Sequence, residues 1–190
     1  MNNNTIFLIG EDEIKSQTSL MNDIENQFIR IHILEAQNID LQPILCEDYY
    51  EFIILQMEKY YKCLDDGNTC MLLDFLTEYD IKLIDDYIQP YLIYSVLYHS
   101  AYDLFLKITN RGVASIDNDY GRSTDDNDIA YYRVMRKDWE NKKHHYMNQI
   151  IKYLNKNIDK FTIYKSCISD ECIIDNTKSK SSGLYLGKNI

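Results

Sequence analysis

An all-α helical bundle is the fold class this sequence predicts, and three observations predict it. Apolar side chains recur at spacings of three and four through most of residues 23–157, which places them on single helix faces. Proline and glycine, the residues that punctuate helices, number only two and six in 190. Where turn-forming residues do cluster, as at Asp65-Asp66-Gly67-Asn68 and Thr109-Asn110-Arg111-Gly112, they stand between these series.

The elements follow in chain order. Residues 1–22 form an N-terminal arm or short helix: Ile6-Phe7-Leu8-Ile9 stops at Gly10, and Glu11 to Ser19 is the helical candidate. From about Asp23, Ile24, Phe28, Ile31 and Leu34 share one side of a helix ending near Asn38, and Pro43 blocks its simple continuation. A second long helix starts near Glu47 or Asp48, where carboxylates favour the positive helix end. Its stripe is Tyr50, Ile53, Ile54, Met57, Tyr60, Tyr61 and Leu64.

A third helix, about Tyr79 to Lys107, is apolar on nearly every side, so it is central or touches another subunit. Pro90 removes the amide that would bond the carbonyl of Asp86, which implies either a kink or two consecutive helices. A polar loop over 112–126 holds Asp117, Asp119, Gly121, Asp125 and Asp126. Another long helix, Asn127 to Asn157, then carries Ile129, Tyr132, Met135, Trp139, Tyr146, Ile150 and Tyr153 at helical spacing. Residues 158–190 have no period and read as an extended C-terminal arm with apolar islands at Ile168, Ile173-Ile174 and Leu184-Tyr185-Leu186. A segment without its own core is either a solvated tail or an arm covered by a neighbouring subunit, and three separated apolar clusters favour the second.

A chain of this length buries roughly 70% of its unfolded surface, enough for one domain with its own core. The hydrophobic fraction of 45% rests heavily on isoleucine and on 17 tyrosines, whose large rings with polar tips suit subunit interfaces, although a codon bias would produce the same excess. Thirty acidic against twenty basic side chains give a net charge of −10, which opposes binding to nucleic acid through its phosphates. The five cysteines, Cys46, Cys63, Cys70, Cys167 and Cys172, are an odd number behind a start that lacks the features of a signal peptide, so free thiols are expected. The apolar run Tyr87 to Tyr102 is too short to span a bilayer and contains Pro90 and His99; no membrane association is expected.

Catalytic, cofactor and metal sites are not expected. Cys167 and Cys172 lack a second pair at zinc-site spacing, and His144 and His145 point about 100° apart on a helix. His32 and Glu35 share a helix face, a commonplace pairing, and His99 on an apolar helix reads as a hydrogen-bonded core or interface group. Asp117-Asn118-Asp119-Tyr120-Gly121 lacks the glycine position and terminal glutamate of a calcium loop. Asp65-Asp66 and Asp85-Asp86 are consecutive carboxylates that diverge on a helix or serve a turn. No glycine-rich phosphate loop or nucleophile elbow occurs, and Trp139, Tyr146 and Tyr153 follow the spacing of a packed face rather than a base-stacking platform.

One resemblance spans several of these segments. Ile33-Leu34-Glu35-Ala36-Gln37-Asn38-Ile39, the apolar link Ile44-Leu45 and the aromatic start Tyr49-Tyr50-Glu51-Phe52 resemble the head-to-tail connector proteins, also called ring or adaptor proteins, of crAss-like phages infecting Bacteroidetes. Tyr87-Ile88-Gln89-Pro90-Tyr91-Leu92 is similar to the family's proline-bearing central helix, and Lys107 to Val113 to its helix exit; the likeness covers about Phe28 to Leu154. Where relatives often carry glycine after the apolar link, this chain has Cys46, which disfavours a left-handed turn there.

The resemblance implies a helical bundle of the phage head-tail adaptor type, assembled as a ring of about twelve copies on the portal. Such a ring extends the DNA channel, lets the genome pass without specific binding, and offers a platform to adjacent ring or tail proteins. The expected location is the virion neck, with the host cytoplasm before assembly. Carried onto this chain, Gly112, Val113, Ile116, Ile168, Ile173, Ile174, Leu184, Tyr185 and Leu186 are the candidate contact residues. The competing readings are a metal-dependent phage hydrolase or nuclease using the acidic loop, and a small acidic protein that binds a host factor.

Overall fold

In a computed structural model, residues 5–17, 24–109, 112–115 and 126–169 are described, without side chains for 102, 104–109, 112–115, 126–129 and 169. Helix α1 (Glu11–Gln17) is followed by α2 (Asn26–Glu35), which widens into a π-helical segment, Ala36–Leu41, and continues as the short α3 (Gln42–Leu45). Helix α4 spans Glu47–Asp65, and a 3-10 turn at Leu72–Asp74 leads to α5 (Glu78–Leu83). A second π segment, Ile84–Ile88, runs into α6 (Gln89–Phe105). After a two-stranded antiparallel ribbon come α7 (Asp126–Lys156) and α8 (Thr162–Ser169). The fold is thus the helical bundle that the spacing predicts.

Both prolines of the chain directly follow a π segment, and each is preceded by glutamine, as Gln42-Pro43 and Gln89-Pro90. The physical reason is shared. Proline in a regular helix lacks the i→i−4 donor and its ring strikes the carbonyl one turn back. In the widened turns the preceding glutamine amide instead bonds five residues back, Gln42 to Gln37 and Gln89 to Ile84. The helix therefore passes through Pro43, where a break was expected, and the discontinuity expected near Pro90 takes the form of a π segment.

The actual break after α3 falls at Cys46, whose φ of 60° and ψ of 159° lie in a region populated almost solely by glycine. The left-handed backbone that a cysteine was expected to disfavour is present. Replacing Cys46 with glycine in reducing buffer should raise stability by about 1 kcal/mol, since relief of backbone strain outweighs the entropy glycine loses on folding. A urea midpoint that falls, at unchanged slope, would refute this strain assignment.

The core gathers Ile29 and Ile33 of α2, Tyr49 and Ile53 of α4, Leu83 and Ile88, and Tyr91, Leu92 and Val96 of α6. From the far side come Trp139, Ile150 and Leu154 of α7 and Phe161 and Tyr164 around α8. Helix α6 is central as its apolar circumference predicts, packing on α2 and along α7, while α8 packs on α4. Trp139 is buried, Tyr146 stacks on Tyr94 and Tyr153 stacks on Tyr87, so the aromatic stripe of α7 is a packing face as expected.

Three expectations need correction. The third helix does not reach Lys107: it ends at Phe105, and β1 (Leu106–Thr109) pairs with β2 (Gly112–Ser115) in the register Leu106 to Ser115. Ile108, Thr109 and Val113 are β-branched residues that suit a strand, so Gly112 and Val113 belong to a ribbon rather than to the start of a polar loop. Second, the C-terminal segment is not extended from residue 158 onward. A turn at 157–160 admits α8, an amphipathic helix whose apolar side covers α4.

The third correction concerns the cysteines. Rather than standing as free thiols, Cys46 meets Cys167 and Cys63 meets Cys70 at bonding contact, with Cα atoms 6.5 and 6.4 Å apart. Both separations lie inside the usual disulfide range. The first pair ties the start of α4 to α8 across 121 residues.

Candidate interface

The segment before α1, which bends at Leu8 and Ile9, is held against the first π segment and α4. Leu8 and Ile9 are buried, and the side chain responsible for their placement is Gln37. Its Oε1 accepts from the backbone N–H of Leu8 at 2.8 Å, while its Nε2 donates to the carbonyl of Ile6 at 3.2 Å and to the Tyr50 hydroxyl at 3.3 Å. One amide thus pairs with two backbone groups as a neighbouring strand would. Tyr50 donates onward to Asn38 Oδ1 at 3.1 Å, and Gln89 Nε2 donates to the Leu8 carbonyl at 3.4 Å. Gln37 is 1% exposed, and its bonds to the Leu8 amide and the Tyr50 hydroxyl are buried, while the one to the Ile6 carbonyl is part-buried.

Outside this clamp, the N-terminal segment and α4 enclose a groove of about 720 Å³. Ile6, Leu34, Phe52, Ile54 and Leu55 supply its apolar lining, and Asp48, Glu51 and Glu58 are the charged groups on it; among the described residues no lysine or arginine lines it. Glu51, Leu55 and Glu58 fall on one helical face at spacings of four and three. Leu55 is 49% exposed, a large apolar side chain left uncovered between two carboxylates.

A polar cluster fastens α7 to the opposite side of the first π segment. Asp40 Oδ2 accepts from Ser95, from His99 Nε2 at 2.8 Å and from Lys143 Nζ at 3.0 Å. Burial alone would raise the Asp40 carboxyl, but the hydrogen bonds from His99, Ser95 and Lys143, with the lysine's charge, outweigh it and hold the pKa down to about 2. Burial, together with the Asp40 charge, pushes the neighbouring Tyr91 phenol up. Serine, histidine and aspartate do meet here, yet Ser95 and His99 both bond the same carboxylate oxygen, so the hydroxyl is not poised against the imidazole as a nucleophile requires. The cluster is an anchor.

The outer face of α7 carries another uncovered apolar surface; Ile31, Ile39, Met71 and Leu73 are likewise exposed. Tyr131 is 63% and Val134 69% exposed, one turn apart. Around them stand Arg133, Arg136 and Lys137. Arg136 lies over the Tyr98 ring at 4.3 Å and Lys137 pairs with Glu140 at 2.8 Å, whereas Arg133 makes no ion pair among the described residues. Asp138 is neutralised by Lys142 at 2.7 Å.

Of the contact residues expected from sequence, Ile168 is half-buried against the core from α8. Gly112 and Val113 are in β2, and Ile116, Ile173, Ile174, Leu184, Tyr185 and Leu186 lie outside the described residues. His99 is hydrogen-bonded within the fold as expected, and His32 Nδ1 meets Glu35 Oε2 at 2.8 Å. Among the described residues, no group of three or more histidines, cysteines or carboxylates is arranged to hold a metal ion, and no helix is long and apolar enough to cross a membrane.

Gln37 and Asp40 were missed as organising residues, although the Ala36-Gln37 pair and the adjoining helix end were conspicuous in the sequence. A buried glutamine beside a helix exit was the available signal.

Comparison with known proteins places the chain within one group. No curated protein and no solved structure matches it. A family model matches residues 41–172, which runs from the end of the first π segment through α8 and past the described residues. The matched span takes in α4, the central α6, the ribbon and α7, and leaves out the N-terminal segment and its Gln37 clamp. By that match over more than half its length, the chain belongs to DUF6712, a family of unknown function.

Proposed function

We propose that this protein is a non-enzymatic virion component, a head-to-tail connector whose copies form a ring on the portal and prolong the DNA channel toward the tail. The observation that carries this reading is that, among several uncovered apolar side chains, two separate surfaces differ in the charges around them, the acidic groove beside α4 and the more basic face of α7. A closed ring needs two different complementary faces on every subunit, whereas a twofold dimer needs one face that matches itself. The resemblance of the Ala36-Gln37 segment, the Gln89-Pro90 helix and the Lys107 to Val113 exit to phage connectors supports the same role. A net charge of −10 per copy suits a conduit that DNA must traverse without adhering.

Light scattering of the purified protein, alone and mixed with the portal protein of the same phage, tests the role. The expected result is a discrete ring-sized mass in at least the mixed sample. A chain that remains monomeric and leaves the portal unbound would overturn it.

A further inference from the structure

We infer that neighbouring copies join head to tail, with the Tyr131–Val134 ridge of α7 on one copy entering the Leu55 groove beside α4 on the next. This pairing presupposes the self-assembling role proposed above and names its contact. Both surfaces are incomplete in the single chain. The groove has an apolar lining with charges of one sign, Asp48, Glu51 and Glu58, and the ridge offers an apolar ring and a branched side chain flanked by Arg133 and by Lys137, the latter also paired with Glu140. Tyr131 and Val134, three residues apart, project together from one helix as anchors for a groove do.

Charge complementarity sets the pairing. Like-charged surfaces repel, so groove against groove is disfavoured, and so is ridge against ridge; only the crossed combination brings carboxylates to guanidinium and ammonium groups. Closure of the groove by α7 of the same copy is excluded by the fold: α7 packs along α6 and is tied to the first π segment through Lys143 and Asp40, and among the described residues none of α7 lines the groove. Charge complementarity makes the α7 ridge of a second copy the occupant. Repeated use of such unlike faces yields a closed ring or an open filament, depending on the rotation between copies.

The test uses the full chain and two single substitutions at exposed positions, Leu55→Arg to block the groove and Val134→Glu to block the ridge, with circular dichroism confirming that each retains its helicity. Analytical ultracentrifugation should show the parent above protomer mass and each variant alone as a protomer. An equimolar mixture of the two variants should form a dimer that grows no further, because one intact ridge and one intact groove remain. Variants that assemble like the parent, a mixture that stays monomeric, or a parent monomeric at every concentration would each overturn the pairing.

A second set checks the charges. Glu51→Lys with Glu58→Lys in one chain, and Arg133→Glu with Lys137→Glu in another, should each abolish assembly and restore it on mixing. Failure on mixing counts against the pairing. The pairing and the connector role fail differently: rings indifferent to all these changes would dismiss the pairing alone, while open filaments that obey them would dismiss the connector role alone.

Discussion

Replacing Gln37 with alanine should destabilise the protein by about 3 kcal/mol and release the segment Thr5–Gly10 from its seat. The loss leaves the buried Leu8 amide and the part-buried Ile6 carbonyl without their partner, and the buried group alone costs about 1–3 kcal/mol. Removal of most of a 1% exposed side chain adds a cavity. Gln37→Met separates the two effects: it keeps the volume and removes the amide, so it should fall nearly as far as alanine. Urea denaturation gives the energies, and hydrogen exchange at Leu8, protected in the parent, should accelerate by at least tenfold in both variants. A methionine variant within about 0.5 kcal/mol of the parent would show that the clamp's hydrogen bonds contribute little.

Loss of the Asp40 carboxylate should be costlier. Asp40→Ala removes the shared acceptor of Ser95, His99 and Lys143, leaving a lysine 13% exposed without its counter-charge, and breaking such a buried pair costs about 3–5 kcal/mol. The pH dependence carries a sign. The folded pKa of about 2 lies below the ordinary value of 3.8, so the ionised folded form is favoured above the unfolded pKa and its advantage disappears as pH falls through the folded one. Over pH 5 to 2, the stability gap between the parent and Asp40→Asn should therefore shrink by about 2 kcal/mol. Because the other carboxylates are common to both proteins, their titration cancels in that difference. A gap independent of pH would mean that the anchor does not rest on the charge of Asp40.

Helix positions were legible because they depend on local spacing: the stripe of α4 from Tyr50 to Tyr60 and the aromatic series of α7 occur where apolar periodicity places them, whereas Tyr61 and Leu64 at the end of the α4 stripe are exposed. The ribbon was not, since Leu106 to Thr109 continues an apolar run that helical and extended readings share. Helix α8 was missed for a different reason. Eight residues are too few for periodicity to stand out, and its stability comes from covering α4 rather than from its own sequence. The site was least legible of all. Gln37 bonds a backbone 29 residues away, and Asp40 bonds side chains 55, 59 and 103 residues away, separations that no local pattern encodes.

The π turn at Ala36–Leu41 ties these two residues to different duties. In an ordinary helix, side chains three apart lie on a common side, and both would reach toward the same neighbour. The extra residue in the wide turn swings them apart, so a single rod grips the chain's own beginning with one hand and its distal long helix with the other. A rod of uniform pitch would have to let go of one.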